Sequence, residues 1–157
     1  MPFTLTSSAF REGSPIPVAH TCDGADASPP LAWSGAPPEA RSFALIMDDP
    51  DAPMGTWVHW VLWNVPATVS SLPEGLPKAP RLDDLDGALQ GNNTWPQIGY
   101  NGPCPPPGKP HRYFFKLYAL DTTLGLKAGA GKTDLERAMR DHVLAQAQLM
   151  GTYGRKR

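Results

Sequence analysis

Residues 43–53 read FALIMDDPDAP, an apolar run that ends in Asp48, Asp49, Asp51 and Pro53. Residues 42–48 are short, apolar and flanked by turn formers, which predicts a buried strand. Acids at the end of such a strand repel one another and lose hydration. They need partners of opposite charge, hydrogen-bond donors or a ligand. The rest of the chain is read for those partners.

The chain has 157 residues, of which 41% are hydrophobic and 18% charged, so it is expected to fold as one domain, residues 1–157. A net charge of -1 gives no basic bias toward nucleic acid. Nineteen prolines and fifteen glycines favour a loop-rich β protein over a helical bundle. The start, MPFTLTSSAFREG, has no apolar leader, and no run approaches the ~18 apolar residues of a membrane helix. The expected location is the cytoplasm.

Two more core strands are predicted. WVHWVLWNV, residues 57–65, is rich in aromatic and β-branched residues, and so is RYFFKLYAL, residues 112–120. Phe3–Leu5 and Leu31–Trp33 fit short strands between turns. Residues 66–110 read as loop with one or two short strands, and Trp95 and Tyr100 argue against disorder there. Near the end, Thr133 and Glu136 fit a capping box, apolar residues recur at helical spacing to Met150, and Gly151 suits a helix stop. The spacing predicts a helix over 134–149. The class is mainly β, a two-sheet sandwich with a helix on an edge or face.

Period two puts Trp57, His59, Val61 and Trp63 on one face of the second strand, and His111, Tyr113, Phe115 and Leu117 on one face of the third. Each strand thus brings a histidine near its start. If Asp49 and Asp51 meet His59 and His111, the acids orient the imidazoles and favour their protonation, and the other ring nitrogens face a cavity. His20 and His142 read as structural, the latter on the helix's packing face. Trp57, Trp60 and Trp63 read as core, and prolines 105–107 as a rigid extended loop.

DPDAP, then GTWVHWVLWNVP, then GYNGPCPPPGKPHRYFFKLYALD closely resemble the phosphatidylethanolamine-binding protein family, which includes the Raf kinase inhibitor proteins. TCDGADASPPLAWSG and HVLAQAQLMGTYGR extend the resemblance over nearly the whole chain, and it is best with the bacterial and archaeal branch. The resemblance implies two antiparallel sheets with a Greek-key element, a C-terminal helix beside the pocket, and no cofactor. It implies a small site for phosphate-like anions or phospholipid head groups. Asp49 and Asp51 would be the pocket acids, Pro53 part of the wall, His59 and His111 the histidines, and Tyr113 a hydroxyl donor. Gly102 and Pro103 would belong to the loop that passes the anion. Relatives suggest a kinase or a protease as protein partner, and bacterial members can pair as homodimers. Animal members have a longer segment between DPDAP and the histidine strand, where only MGTW stands here, so their kinase-holding surfaces do not carry over.

Cys104 falls in the site loop, and Cys22 is its candidate partner. A reducing cytosol predicts two free thiols, whereas an oxidising compartment or a thermophile predicts a disulfide. Two enzyme readings compete with the binding reading. His59, His111 and the carboxylates could ligate zinc or iron, although no HExxH pair supports this. A His/Asp hydrolase would need a nucleophile, but there is no GxSxG elbow and Cys104 sits in a proline-locked loop.

Overall fold

The computed structural model describes residues 2–155. Its strands, all paired antiparallel, are β1 Thr4–Thr6, β2 Leu31–Ser34, β3 Ser42–Asp49, β4 Trp57–Pro66, β5 Ser71–Leu72, β6 Arg81–Leu82, β7 Ala88–Gln90, β8 His111–Leu120 and β9 Val143–Tyr153. One helix, α1 Lys132–Met139, precedes β9. The small sheet runs β1-β2-β5 and the large sheet β6-β7-β4-β3-β8-β9. The fold is therefore the expected mainly β, two-sheet arrangement with one helix near the C-terminus.

All eight residues of β3 are buried, because both faces of the large sheet are covered. On the inner face Phe43, Leu45 and Met47 pack with Leu31, Trp33 and Leu72 of the small sheet. On the outer face Ala44 and Ile46 pack with Val61, Trp63 and the α1 residues Leu135 and Met139. A strand buried on both faces is apolar at every position, hence the unbroken run.

The large sheet departs from regular pairing twice along β4. Asp48 faces Val58 while Met47 faces Trp60, which leaves His59 as an extra residue. The strict alternation expected from sequence fails there. Trp57 and His59 share the pocket side, but Val61 and Trp63 turn to the outer face, while Trp60 and Leu62 enter the inner core. A second shift, between Phe43 and Leu45, coincides with Asn64 at φ 59°. The Asn64 amide donates to Leu124 O and accepts from Leu124 N–H, both at 2.8 Å. Asparagine tolerates the left-handed region better than most residues.

The helix expected over 134–149 is correct only in its first part. The chain leaves α1 at Met139, turns at Asp141 with φ 69°, and becomes β9. The stretch VLAQAQLMGTY also fits period two, with Ala147, Leu149 and Gly151 buried and Gln146 and Gln148 outward. The open edge of β8 decided between the two periods: it pairs with β9 from His111↔Tyr153 to Leu120↔Val143. Gly151 is no helix stop. It sits opposite Tyr113, where an added Cβ would lie 2.6 Å from Ile16 and 2.7 Å from Phe10. The helix begins two residues earlier than expected, capped at Gly131 rather than Thr133, with Gly131 N–H donating to Asp134 at 3.4 Å. His142 is not on a helix face; it lies in the turn and bonds Asp121 at 2.8 Å. Nor does the helix stand beside the pocket, since it packs on the outer face of the sheet.

Asn64→Ala should destabilise the protein by about 2–4 kcal/mol, by losing two hydrogen bonds and by putting at positive φ a residue without asparagine's tolerance for it. Urea unfolding should show a lower midpoint with an unchanged slope.

Candidate functional site

The end of β3, the starts of β4 and β8, and the loop carrying residues 101–105 converge on a cavity of about 240 Å³. Its wall is made by Asp49, Pro53, Trp57, His59, Trp95, Cys104, Pro105, His111 and Tyr113. Strand β8 supplies His111 and Tyr113 on one face, as its alternation predicts. The extra residue in β4 supplies His59.

Asp49 is buried, and both its oxygens are engaged. One accepts Asp51 N–H at 2.8 Å and the other accepts His111 Nδ1–H at 2.7 Å. The bond fixes the His111 proton on Nδ1 and leaves Nε2 for the cavity. His59 is held in the same way by a different acceptor, the Asn101 carbonyl, 2.7 Å from Nδ1. Its ring stands perpendicular to Trp95 at 4.9 Å and to Tyr113 at 5.2 Å.

The expected pairing of two acids with two histidines is thus half right. Asp51 orients no imidazole. It accepts from the Arg112 backbone N–H and from two nitrogens of its guanidinium, each at 2.9 Å. This bidentate pair pulls the Asp51 pKa down to about 2. Nor is His59 predisposed to protonation. Burial lowers its pKa, and the Asn101 carbonyl bond and the Asp49 charge only partly oppose this. At neutral pH the site therefore presents His59 as a neutral ring with an acceptor at Nε2. Tyr113 is held well above its ordinary pKa, first by burial and then by the Asp49 charge, so it stays a protonated donor.

Asp51, Gly102 and Pro103 stand behind the wall. Gly102 N–H donates to Asp26 at 2.8 Å, and Pro103 O accepts Cys22 N–H at 3.1 Å. A Cβ on Gly102 would fall 2.0 Å from His20 O, so glycine permits close passage of two backbones there. The Tyr100 hydroxyl donates to the same carbonyl at 2.6 Å. His20 is buried, with Nδ1 2.8 Å from Ala27 O. Cys22 and Cys104 form a disulfide with Cα atoms 5.4 Å apart, and Cys104 is itself in the cavity wall. Its sulfur is therefore not a thiol, which removes Cys104 as the candidate nucleophile.

Sequence reasoning missed Trp57, Trp95 and Pro105. Trp57, expected in the core with Trp60 and Trp63, lies instead in the cavity wall, edge-on to Trp95 at 5.4 Å. Its indole N–H is buried without an acceptor. The only sequence signal for Trp95 was an aromatic residue in a turn-rich stretch. Among the described residues no group of three or more His, Cys, Asp and Glu is placed to hold a metal ion. Among them, too, no helix is long and apolar enough to cross a membrane.

The fold and pocket define a class of β protein, a two-sheet sandwich with a small, aromatic-walled cavity lined by two oriented histidines. The chain belongs to the phosphatidylethanolamine-binding protein family, whose model it matches over residues 6–154. A UPF0098 protein from Methanothermobacter thermautotrophicus is 53% identical over 151 residues, covering 96% of this chain and 98% of that protein. The crystal structure of a phosphatidylethanolamine-binding protein homologue from Chlamydia trachomatis superposes with TM-score 0.89 at 44% identity, covering 99% of each chain. That of E. coli YbcL, a member of the mammalian family, superposes with TM-score 0.92 at 34% identity, covering 99% of this chain and 100% of that one.

Carboxyl NMR should find Asp51 titrating near 2 in the parent and close to the free value of 3.8 in Arg112→Ala. Because the folded pKa is depressed, this pair adds stability above about pH 4 that is lost as pH falls toward 2. The acid-side loss should be shallower in the variant. For His59 the folded pKa lies below the free value of 6.5, so its contribution is complete above that pH and is lost as pH falls through it. His59→Gln should flatten that part of the stability profile.

Proposed function

We propose that the protein is a non-catalytic binding and regulatory protein whose pocket takes a phosphate-like anion, free or as a phospholipid head group. The observation that carries this reading is the pair of imidazoles fixed through Nδ1, each with Nε2 left for one cavity that Tyr113 also lines. Fixed rings with free nitrogens suit an oxyanion whose protons can be shared with them. Inorganic phosphate or a phosphate monoester, as its monoanion, brings its own O–H, which neutral His59 accepts, and takes the Tyr113 O–H in return; a phosphodiester head group has no such proton and needs one imidazole protonated. Family membership supports the same class of ligand.

An enzyme built on this pocket is the weaker reading. Both oxygens of Asp49 are already bonded within the protein, and Asp51 is held by Arg112 outside the wall. Neither is free to act as a metal ligand or general base without losing those bonds. A protein partner, kinase or protease, would read the occupied pocket through the surface around its mouth. A cytoplasmic location fits the Cys22–Cys104 bond only where thiols are not kept reduced, as in some thermophiles.

The test is NMR titration of the imidazole signals with inorganic phosphate and with phosphoethanolamine. His59 and His111 should move together to saturation while His20 and His142 stay still. His111→Ala should abolish the response of His59, and a response unaffected by that change would remove the assignment. Sulfate, which has no proton to offer, needs a protonated imidazole. Its affinity should rise as pH falls from 8 to 6, more steeply than that of phosphate.

A further inference from the structure

The residue beside Asp49 points the other way. Asp48 is 2% exposed, and its Oδ2 accepts from two lysines, Lys116 Nζ at 3.3 Å and Lys132 Nζ at 3.1 Å. Lys116 comes from β8 and Lys132 from the first turn of α1. A second cavity of about 240 Å³ opens on this face, and these three residues line it with Thr56, Phe114 and Gln148. It shares no lining residue with the histidine pocket.

The charges here do not balance. Two ammonium groups share one carboxylate oxygen, and among the described residues neither lysine has another acidic partner. Six N–H donors meet one bonded oxygen, and a net positive charge is left at the cavity. Sharing one oxygen also forces the ammonium groups into each other's field, a repulsion that a second anion between them would relieve. Their side chains are only 27% and 23% exposed, so water screens them less than it screens a free surface lysine. The remaining wall offers an amide, a hydroxyl, the Pro50 ring and one face of Phe114, over which Lys116 Nζ sits at 6.0 Å. None of these competes with the lysines for an anion's charge.

We propose that this outer cavity is a second anion site, in which Lys116 and Lys132 clamp a small oxyanion, a phosphate or carboxylate group, over the buried Asp48. The proposal is independent of the histidine pocket. A purely structural clamp, fastening α1 to the sheet, would use the same two bonds to Asp48 but would gain nothing from an added anion.

The test follows the side-chain CH2 signals next to each lysine Nζ in the full chain. Inorganic phosphate is added in one arm and acetate in the other. Lys116 and Lys132 should shift to saturation while Lys78, Lys109 and Lys127 drift linearly at most. The preference between phosphate and acetate then tells a phosphate-bearing ligand from a carboxylate one. His111→Ala, which disables the other pocket, should leave the lysine response in place. Lys116→Gln and Lys132→Gln should each weaken binding severalfold. Asp48→Asn should tighten it severalfold, because it removes the competing negative charge. Linear drift of Lys116 and Lys132, or an affinity unchanged or weakened in Asp48→Asn, would overturn the site. If Asp48→Asn does not fold, the two glutamine variants decide: unchanged affinity in both overturns it.

Discussion

Two consecutive carboxylates at the buried end of β3 set the terms for everything around them. Successive side chains on a strand point to opposite faces, so Asp48 enters the outer side of the large sheet and Asp49 the inner side. Each loses most of its hydration, which costs several kcal/mol unless bonds replace it. Asp49 is satisfied by His111 and the Asp51 amide, and Asp48 by Lys116 and Lys132. β8 supplies a partner on both faces, which its pairing with β3 from Ser42↔Leu120 to Asp48↔Phe114 makes possible.

The pocket is the inner consequence of that arrangement. His111 is fixed because Asp49 needs a donor, and Tyr113 follows it on the same face. His59 reaches the cavity because β4 carries one residue too many opposite Met47 and Asp48. Without that extra residue, His59 and Trp60 could not both lie on the inner side. The loop that closes the cavity is held by many weak ties and one covalent one: Tyr100 to His20, Gly102 to Asp26, Cys22 to Pro103, and Cys22 to Cys104. A pocket whose residues come from distant parts of the chain needs that bracing, because loops by themselves hold position poorly.

Much of the site was legible because strands translate spacing into direction. The placement of His111 and Tyr113 on one face needed only period two. The acids after β3 announced a site because buried charge demands partners. What could not be read was which partner each acid would take. Asp51 and Asp49 are two residues apart in a turn, and only the folded turn shows that one meets Arg112 and the other His111. The role of Trp95 was hidden because its stretch has no period at all.

Burial and alternation are local properties of the chain, and they were enough for the β character, three of the four long strands and the segments that carry the acids and histidines. The tertiary structure decided the rest. Residues 143–150 satisfy both helical and strand spacing, and the unpaired edge of β8 resolved them as β9. The extra residues in β4 exist only in relation to β3, so no reading of β4 alone could place Val61 and Trp63 on the outer face. The same holds for Lys132: its sequence neighbours mark a helix start, and only the packing of that helix on the sheet brings its charge to Asp48. Contacts between distant segments are settled by competition for open edges and for buried charge, and that competition takes place only in the folded chain.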